Sequence, residues 1–313
     1  MKTLLFLLLG LAGGAAQAQA LGFGTAPQGS LGYNMGSAMA KVMAETENVQ
    51  SRVQPYSGSS AILPLVSSGE LDLSVCNVLE AEEAANGEGP YAGRKQPNLR
   101  VLAVIFPLYS SFFVRKDSPV KSIADLKGKR IPYGYSAQVT LQRVSDAILA
   151  TGGLTGRDIV PVLVPNVIRG VDDFAEGKAD AGFFALGAAK VLEVHRSTGG
   201  IRYLPVPDDA SAVAAMQKIM RYAYVAEVKP TPATAGVEAP TKLMAYDYLA
   251  VVGAHVKDDV VYRIVRALHG NKPKLVESFR AFGGFNPDNM NKPMPAPFHP
   301  GALKFYREKG IGK

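Results

Sequence analysis

The side chains able to do chemistry in this chain are few, and their spacing fits no reaction centre. His195, His255, His269 and His299 stand at no metal-ligand spacing from one another or from Cys76. Cys76 is the only cysteine and lies in the apolar run Leu73-Ser74-Val75-Cys76-Asn77-Val78, so it reads as a buried structural thiol rather than a nucleophile. Neither a Gly-x-Ser-x-Gly elbow nor a Gly-x-x-x-x-Gly-Lys-Ser/Thr loop occurs. Gly22-Phe23-Gly24-Thr25-Ala26-Pro27 begins like a dinucleotide fingerprint but has Pro where the third Gly should be. Glu82-Glu83 and Asp172-Asp173 are adjacent acids whose side chains diverge on a helix and read as solvated faces. The expectation is a chain without catalysis, metal or cofactor.

The backbone can still do chemistry. A strand that ends in a polar loop and enters a helix aims unpaired N–H groups and partial positive charge above the sheet, which makes an anion site. Leu21 to Thr25 leads through Gly29-Ser30-Leu31-Gly32-Tyr33 into a helix reaching Met43, with Ser30 as its N-cap. Arg130 to Gly134 leads through Ser136-Ala137-Gln138-Val139-Thr140 into a helix reaching Leu149. Ser57-Gly58-Ser59-Ser60 follows a strand over Val49 to Tyr56 and precedes a helix from about Ala61 to Ser68. Each loop alone also reads as an ordinary N-cap and turn. Three at corresponding positions favour one shared cleft.

The candidate ligand-binding set is Gly29, Ser30, Tyr33, Ser57, Gly58, Ser59, Ser60, Ser136, Gln138 and Thr140 from these loops. Asn77 and Phe184 join it from apolar strands, and Tyr109 and Tyr135 as aromatic walls with a polar tip. Arg169, in Pro165-Asn166-Val167-Ile168-Arg169-Gly170, falls between a strand and a helix expected to begin near Val171. Its guanidinium could grip a carboxylate through two parallel hydrogen bonds. The competing role is a pair with Asp172 or Asp173, or exposure to solvent.

These loops must be held by strand–helix units. Continuously apolar strands alternate with amphipathic helices, the pattern of doubly wound α/β units with ligands outside the carboxyl ends of the strands. The expected organisation is a leader over 1–20, a first lobe over 21–107 plus about 250–313, and a second lobe over about 108–249. The long apolar run Leu243 to Val252 is expected to be a return crossing between the lobes.

Leu4 to Leu11 is too short to span a membrane, and Ala16-Gln17-Ala18 and Ala18-Gln19-Ala20 both fit a signal-peptide cleavage site. Cleavage after Ala18 or Ala20 and export to the periplasm are expected. The net charge of +7 is carried by scattered basic residues, which argues against nucleic acid and is compatible with an anionic ligand.

The chain resembles the TAXI-type solute receptors of TRAP transporters over nearly all of its mature length. The resemblance rests on Gly24-Thr25 with the Gly29 to Tyr33 loop, on Gly58-Ser59, on Ser122 to Arg130, on Gly177 to Ala181, and most specifically on the tail Phe298 to Gly310. It implies a type 2 periplasmic-binding fold, with two lobes joined by a hinge and the ligand cleft between them. It also implies delivery of the ligand to a fused-type TRAP permease driven by an ion gradient. Where such receptors often carry Gly-Ser-x-Glu-Asn, this chain has Gly58-Ser59-Ser60-Ala61-Ile62, and Ala137-Gln138-Val139-Thr140 replaces Gly-Ser-Gly-Thr. The first loop thus loses acceptors for a ligand ammonium, which favours a small carboxylate without an amino group. A receptor for an ABC importer, taking a sulfonate, nitrate or vitamin precursor, is the alternative on the same fold. An enzyme related to porphobilinogen deaminase would need a reactive cysteine.

Overall fold

The computed structural model describes residues 20–312; the expected leader lies outside the described residues save for Ala20. The first half alternates β1 (Leu21–Thr25), α1 (Leu31–Glu47), β2 (Ser51–Pro55), α2 (Ser59–Ser68), β3 (Leu73–Asn77) and α3 (Val78–Asn86). β4 (Leu99–Arg115) then leads to β5 (Arg130–Tyr133), α4 (Thr140–Thr151), β6 (Val160–Leu163), α5 (Val167–Ala175) and β7 (Gly182–Ala185). The chain continues through α6 (Ala189–Ser197), β8 (Ile201–Tyr203), α7 (Ala210–Ile219), β9 (Tyr224–Val228) and β10 (Thr241–Gly253). It closes with α8 (Asp258–Gly270), α9 (Lys272–Ser278) and α10 (Pro300–Lys309).

β1 pairs in parallel with β2 and β3, as expected for strands joined by crossover helices. β3 is antiparallel to β10, and β10 to β4. These two long strands carry both halves. β10 pairs with β3 over Tyr248–Val252 and with β9 over Thr241–Ala245. β4 takes β7 and β8 along Ser110–Arg115. β5 and β6 form a separate parallel pair. The result is a mixed α/β architecture with a central sheet.

β4 runs unbroken through Pro107. Pro107 lies opposite Asp247, next to the register shift between Tyr248 and Leu249. A proline there removes one ladder donor where the ladder is already irregular. α5 starts at Val167, earlier than expected, because Asn166 caps it with its side chain. The second half is anchored on aromatic packing. Phe113 meets Phe174 edge-on at 5.2 Å and Tyr203 at 5.4 Å, which fixes α5 and β8 against β4. Among the described residues no helix is long and apolar enough to cross a membrane.

Candidate ligand cleft

Helix starts converge where the two halves face each other. Ser30 caps α1, its Oγ accepting from the Tyr33 N–H at 3.1 Å. Ser59 opens α2 behind Gly58, Asn77 caps α3, and Asn166 caps α5. Ser30, Ser59, Asn77, Gln138 and Val167 bring the starts of α1 to α5 to the wall of one cavity of about 70 Å³. That is room for roughly two water-sized groups. Leu108 and Ser110 of β4, and Tyr246 and Tyr248 of β10, also line it, each pair two residues apart and so on one face of its strand. β7 adds Phe183, Phe184 and Ala185. Among the described residues, Lys and Arg are missing from this wall and Glu80 is its one acid.

Glu80 and Asn77 form a capping box. The Asn77 Oδ1 accepts from the Glu80 N–H at 3.0 Å, and the Glu80 Oε2 accepts from the Asn77 N–H at 2.9 Å. The carboxyl is therefore folded back over the start of α3. The Gln138 Oε1 accepts from the Val167 N–H at 2.9 Å, tying the starts of α4 and α5 together and leaving the amide NH2 group as a donor. Ser110 Oγ and Tyr246 OH lie 3.4 Å apart. Gly32 admits the Tyr248 hydroxyl to the first turn of α1, since a Cβ there would stand 2.7 Å from it.

Burial pushes the Glu80 carboxyl up to about 7; the Asn77 N–H and the Ser59 hydroxyl pull it down, and Glu83 raises it further. Near neutral pH it is divided between a neutral donor and a carboxylate. Burial also pushes the Tyr246 and Tyr248 phenols up, with Glu80 adding to both, so they remain donors.

Around the cavity the halves are clasped. Glu83 is fully buried, accepts from Thr140 Oγ1 at 2.8 Å and pairs with Arg143, which also donates to the Ile219 carbonyl at 3.1 Å. Glu82 pairs with Arg221. Ser60 Oγ donates to the Ala137 carbonyl at 3.3 Å. A Cβ at Gly58 would meet that same carbonyl oxygen at 2.5 Å, so the two loops touch backbone to backbone. Glu82 and Glu83, expected on a solvated face, are buried because α3 begins in the cleft and lies against the second half.

Of the sequence-derived set, Ser30, Ser59, Asn77, Gln138 and Phe184 line the cavity. Gly29, Gly58, Ser60 and Thr140 stand in contacts between the halves, Gly29 accepting from the Lys190 N–H at 3.4 Å. Ser57 and Ser136 are exposed, and Tyr33 is half-buried with its hydroxyl accepting from Gln28 at 3.4 Å. Tyr135 is core: it is fully buried, at φ 37°, and donates to the Pro132 carbonyl at 3.0 Å. Tyr109 lines a neighbouring cavity instead. Arg169 lies in the first turn of α5, pairing with Asp173 and reaching Glu176 at 3.5 Å, and it does not line the cavity. Sequence reasoning passed over Glu80, Ser110, Tyr246 and Tyr248. The spacing Asn77-x-x-Glu80 was the available signal for the first.

Solved structures share this architecture at low identity. A periplasmic transporter is 16% identical over 94% of this chain and 93% of its own, with a TM-score of 0.60. The alkanesulfonate-binding protein SsuA of Xanthomonas axonopodis pv. citri, bound to MOPS, is 16% identical over 96% of both chains, with a TM-score of 0.54. The substrate-binding protein of an amino acid ABC transporter is 12% identical over 83% of this chain and 99% of its own, with a TM-score of 0.51. In sequence, residues 23–310 match the NMT1-like family, and the chain belongs to that family.

Proposed function

We propose that the protein is a periplasmic solute receptor that encloses a small, singly charged organic anion between its two halves and passes it to a membrane transporter. The observation that carries this reading is the convergence of the starts of α1 to α5 on one small cavity without a Lys or Arg in its wall. Backbone N–H groups and helix dipoles supply the positive field, and Gln138, Asn77, Ser59, Tyr246 and Tyr248 supply neutral donors. Glu80 joins them in its protonated form, as a donor to the anion. Hinge bending falls in β4 and β10, with the first lobe over 21–107 plus about 250–313 and the second over about 108–249. Cleavage of the leader after Ala18 or Ala20 releases the mature receptor.

An ABC importer is the partner we favour, supported by family membership and by the SsuA and amino acid receptors among the structural relatives. The tail Phe298 to Gly310 supports the TRAP permease as the second reading. Co-purification from membranes separates them: an ATPase subunit in the complex supports the first, a fused integral-membrane permease the second. The ligand class is tested by thermal shift against small carboxylates, sulfonates and amines. A matching acid at about 100 times its dissociation constant adds about 2.7 kcal/mol of stability. A shift with amines alone would overturn the anion reading.

A further inference from the structure

A second cavity, of about 260 Å³, lies against the ligand cleft, and Leu31 and Leu108 line both. At about 30 Å³ per water it has room for roughly nine water-sized groups, against roughly two in the cleft. Both walls are mainly apolar, but only the cleft is ringed by the starts of five helices, while Thr231, Thr234 and Arg280 add the polar edge of the larger cavity. Phe106, Pro107 and Tyr109 of β4, Leu186 beyond β7 and Val228 at the end of β9 wall it, and Arg280 at its rim is exposed. Polar helix starts hold the small chamber; strand ends and apolar side chains hold the large one. The shared wall consists of two leucines, which change rotamer without breaking a hydrogen bond.

Resting on the receptor reading above, the geometry points to a two-chamber binding site whose substrate is an amphiphilic organic anion. The oxoanion head occupies the cleft among the helix starts, and an alkyl tail passes between Leu31 and Leu108 into the apolar chamber. The cleft alone would admit only the shortest acids. With the leucines turned aside, the tail buries against Phe106 and Leu186, and each methylene adds apolar area removed from water.

The test is calorimetry with straight-chain alkanecarboxylates, from acetate to octanoate, and the matching alkanesulfonates. Affinity is expected to tighten about fourfold for each added methylene once the tail leaves the cleft. Gly284 gives a means to block the chamber. It lies on the wall, and a Cβ there meets only the Phe106 Cβ, at 3.8 Å, with no positive φ to forbid a side chain. Gly284→Leu should therefore flatten the dependence on chain length, and recovery of the normal melting behaviour would show that the variant folds. Binding of the short acids with no gain along the series overturns the second chamber and leaves the receptor reading standing. Failure of every member of both series to bind overturns both. A chain-length gain that Gly284→Leu leaves unchanged places the tail elsewhere and overturns the assignment to this cavity.

Discussion

The starts of α3 and α5 are built alike and behave oppositely. Each is capped by an asparagine, Asn77 or Asn166, whose side chain accepts from the N–H three residues on. That third residue is charged in both: Glu80 in one, Arg169 in the other. Glu80 folds back over its helix start and takes the Asn77 N–H, because an acid is drawn to unpaired donors and the positive end of the dipole. Arg169 finds neither an acceptor nor a favourable field there, and runs down the helix to Asp173 and Glu176. The sign of one side chain thus decides whether it enters the cleft or leaves it. A cleft made of helix starts recruits acids and expels bases, so the anion binding proposed for it would rest on backbone N–H groups and neutral side-chain donors.

The largest test of this difference is the pH dependence that Glu80 imposes. Its carboxyl, raised from 4.5 to about 7 by burial, holds a proton in the folded state that the unfolded chain has already released. Stability therefore falls as pH rises from about 4.5 to about 7, by about 3 kcal/mol from this group. Urea midpoints at about pH 5 and about pH 8 measure it, and Glu80→Gln should abolish most of the slope. Anion affinity should weaken above about pH 7, approaching tenfold per unit, since the carboxylate would repel the ligand. Equal pH profiles in wild type and Glu80→Gln would break the comparison. The next effect contrasts two arginines. Arg143→Ala strands the fully buried Glu83 with Thr140 as its remaining partner, and should cost about 3 kcal/mol in denaturant unfolding.

What could be read in the sequence divides along the same physical line. Short-range signals were legible: the N-cap at Ser30, the strand over Leu21–Thr25 and the polar loops opening α1, α2 and α4 all depend on neighbouring residues. The cleft wall was legible only where it coincided with such a loop, as at Ser59 and Gln138. Tyr246 and Tyr248 were not, because a strand buried on both faces is apolar throughout and its period of two carries no contrast. That β4 continues through Pro107 is not legible locally, because a proline normally ends a strand and only the opposing β10 shows that this one does not. Glu82 and Glu83 looked solvated because their partners, Arg221, Thr140 and Arg143, are distant in sequence. α5 starts one helical turn before Val171 because the side-chain cap at Asn166 acts through space as well as sequence, and this puts Arg169 inside the helix.

The smaller effects sharpen the comparison at its two caps. Asn77→Ala and Asn166→Ala should each cost about 1 kcal/mol of stability, the ordinary value of an N-cap. They should differ in binding. Asn77→Ala frees the Glu80 side chain and should shift the pH at which anion affinity declines. Asn166→Ala should leave that pH unchanged, because no titrating group of the cleft is held by that cap. Arg169→Ala should be the mildest of all. Arg169 is about half exposed and its partner Asp173 keeps Lys178 at 3.6 Å, so the loss should be about 0.5 kcal/mol, typical of a helical i,i+4 pair. Ligand affinity should not change, whereas a guanidinium gripping the anion would cost about 2–5 kcal/mol on removal. Calorimetry on the identified ligand separates the two values by more than an order of magnitude in dissociation constant. A loss in the larger range would mean that α5 turns its arginine into the cleft when ligand is bound, and that the sign of the charge does not fix its direction.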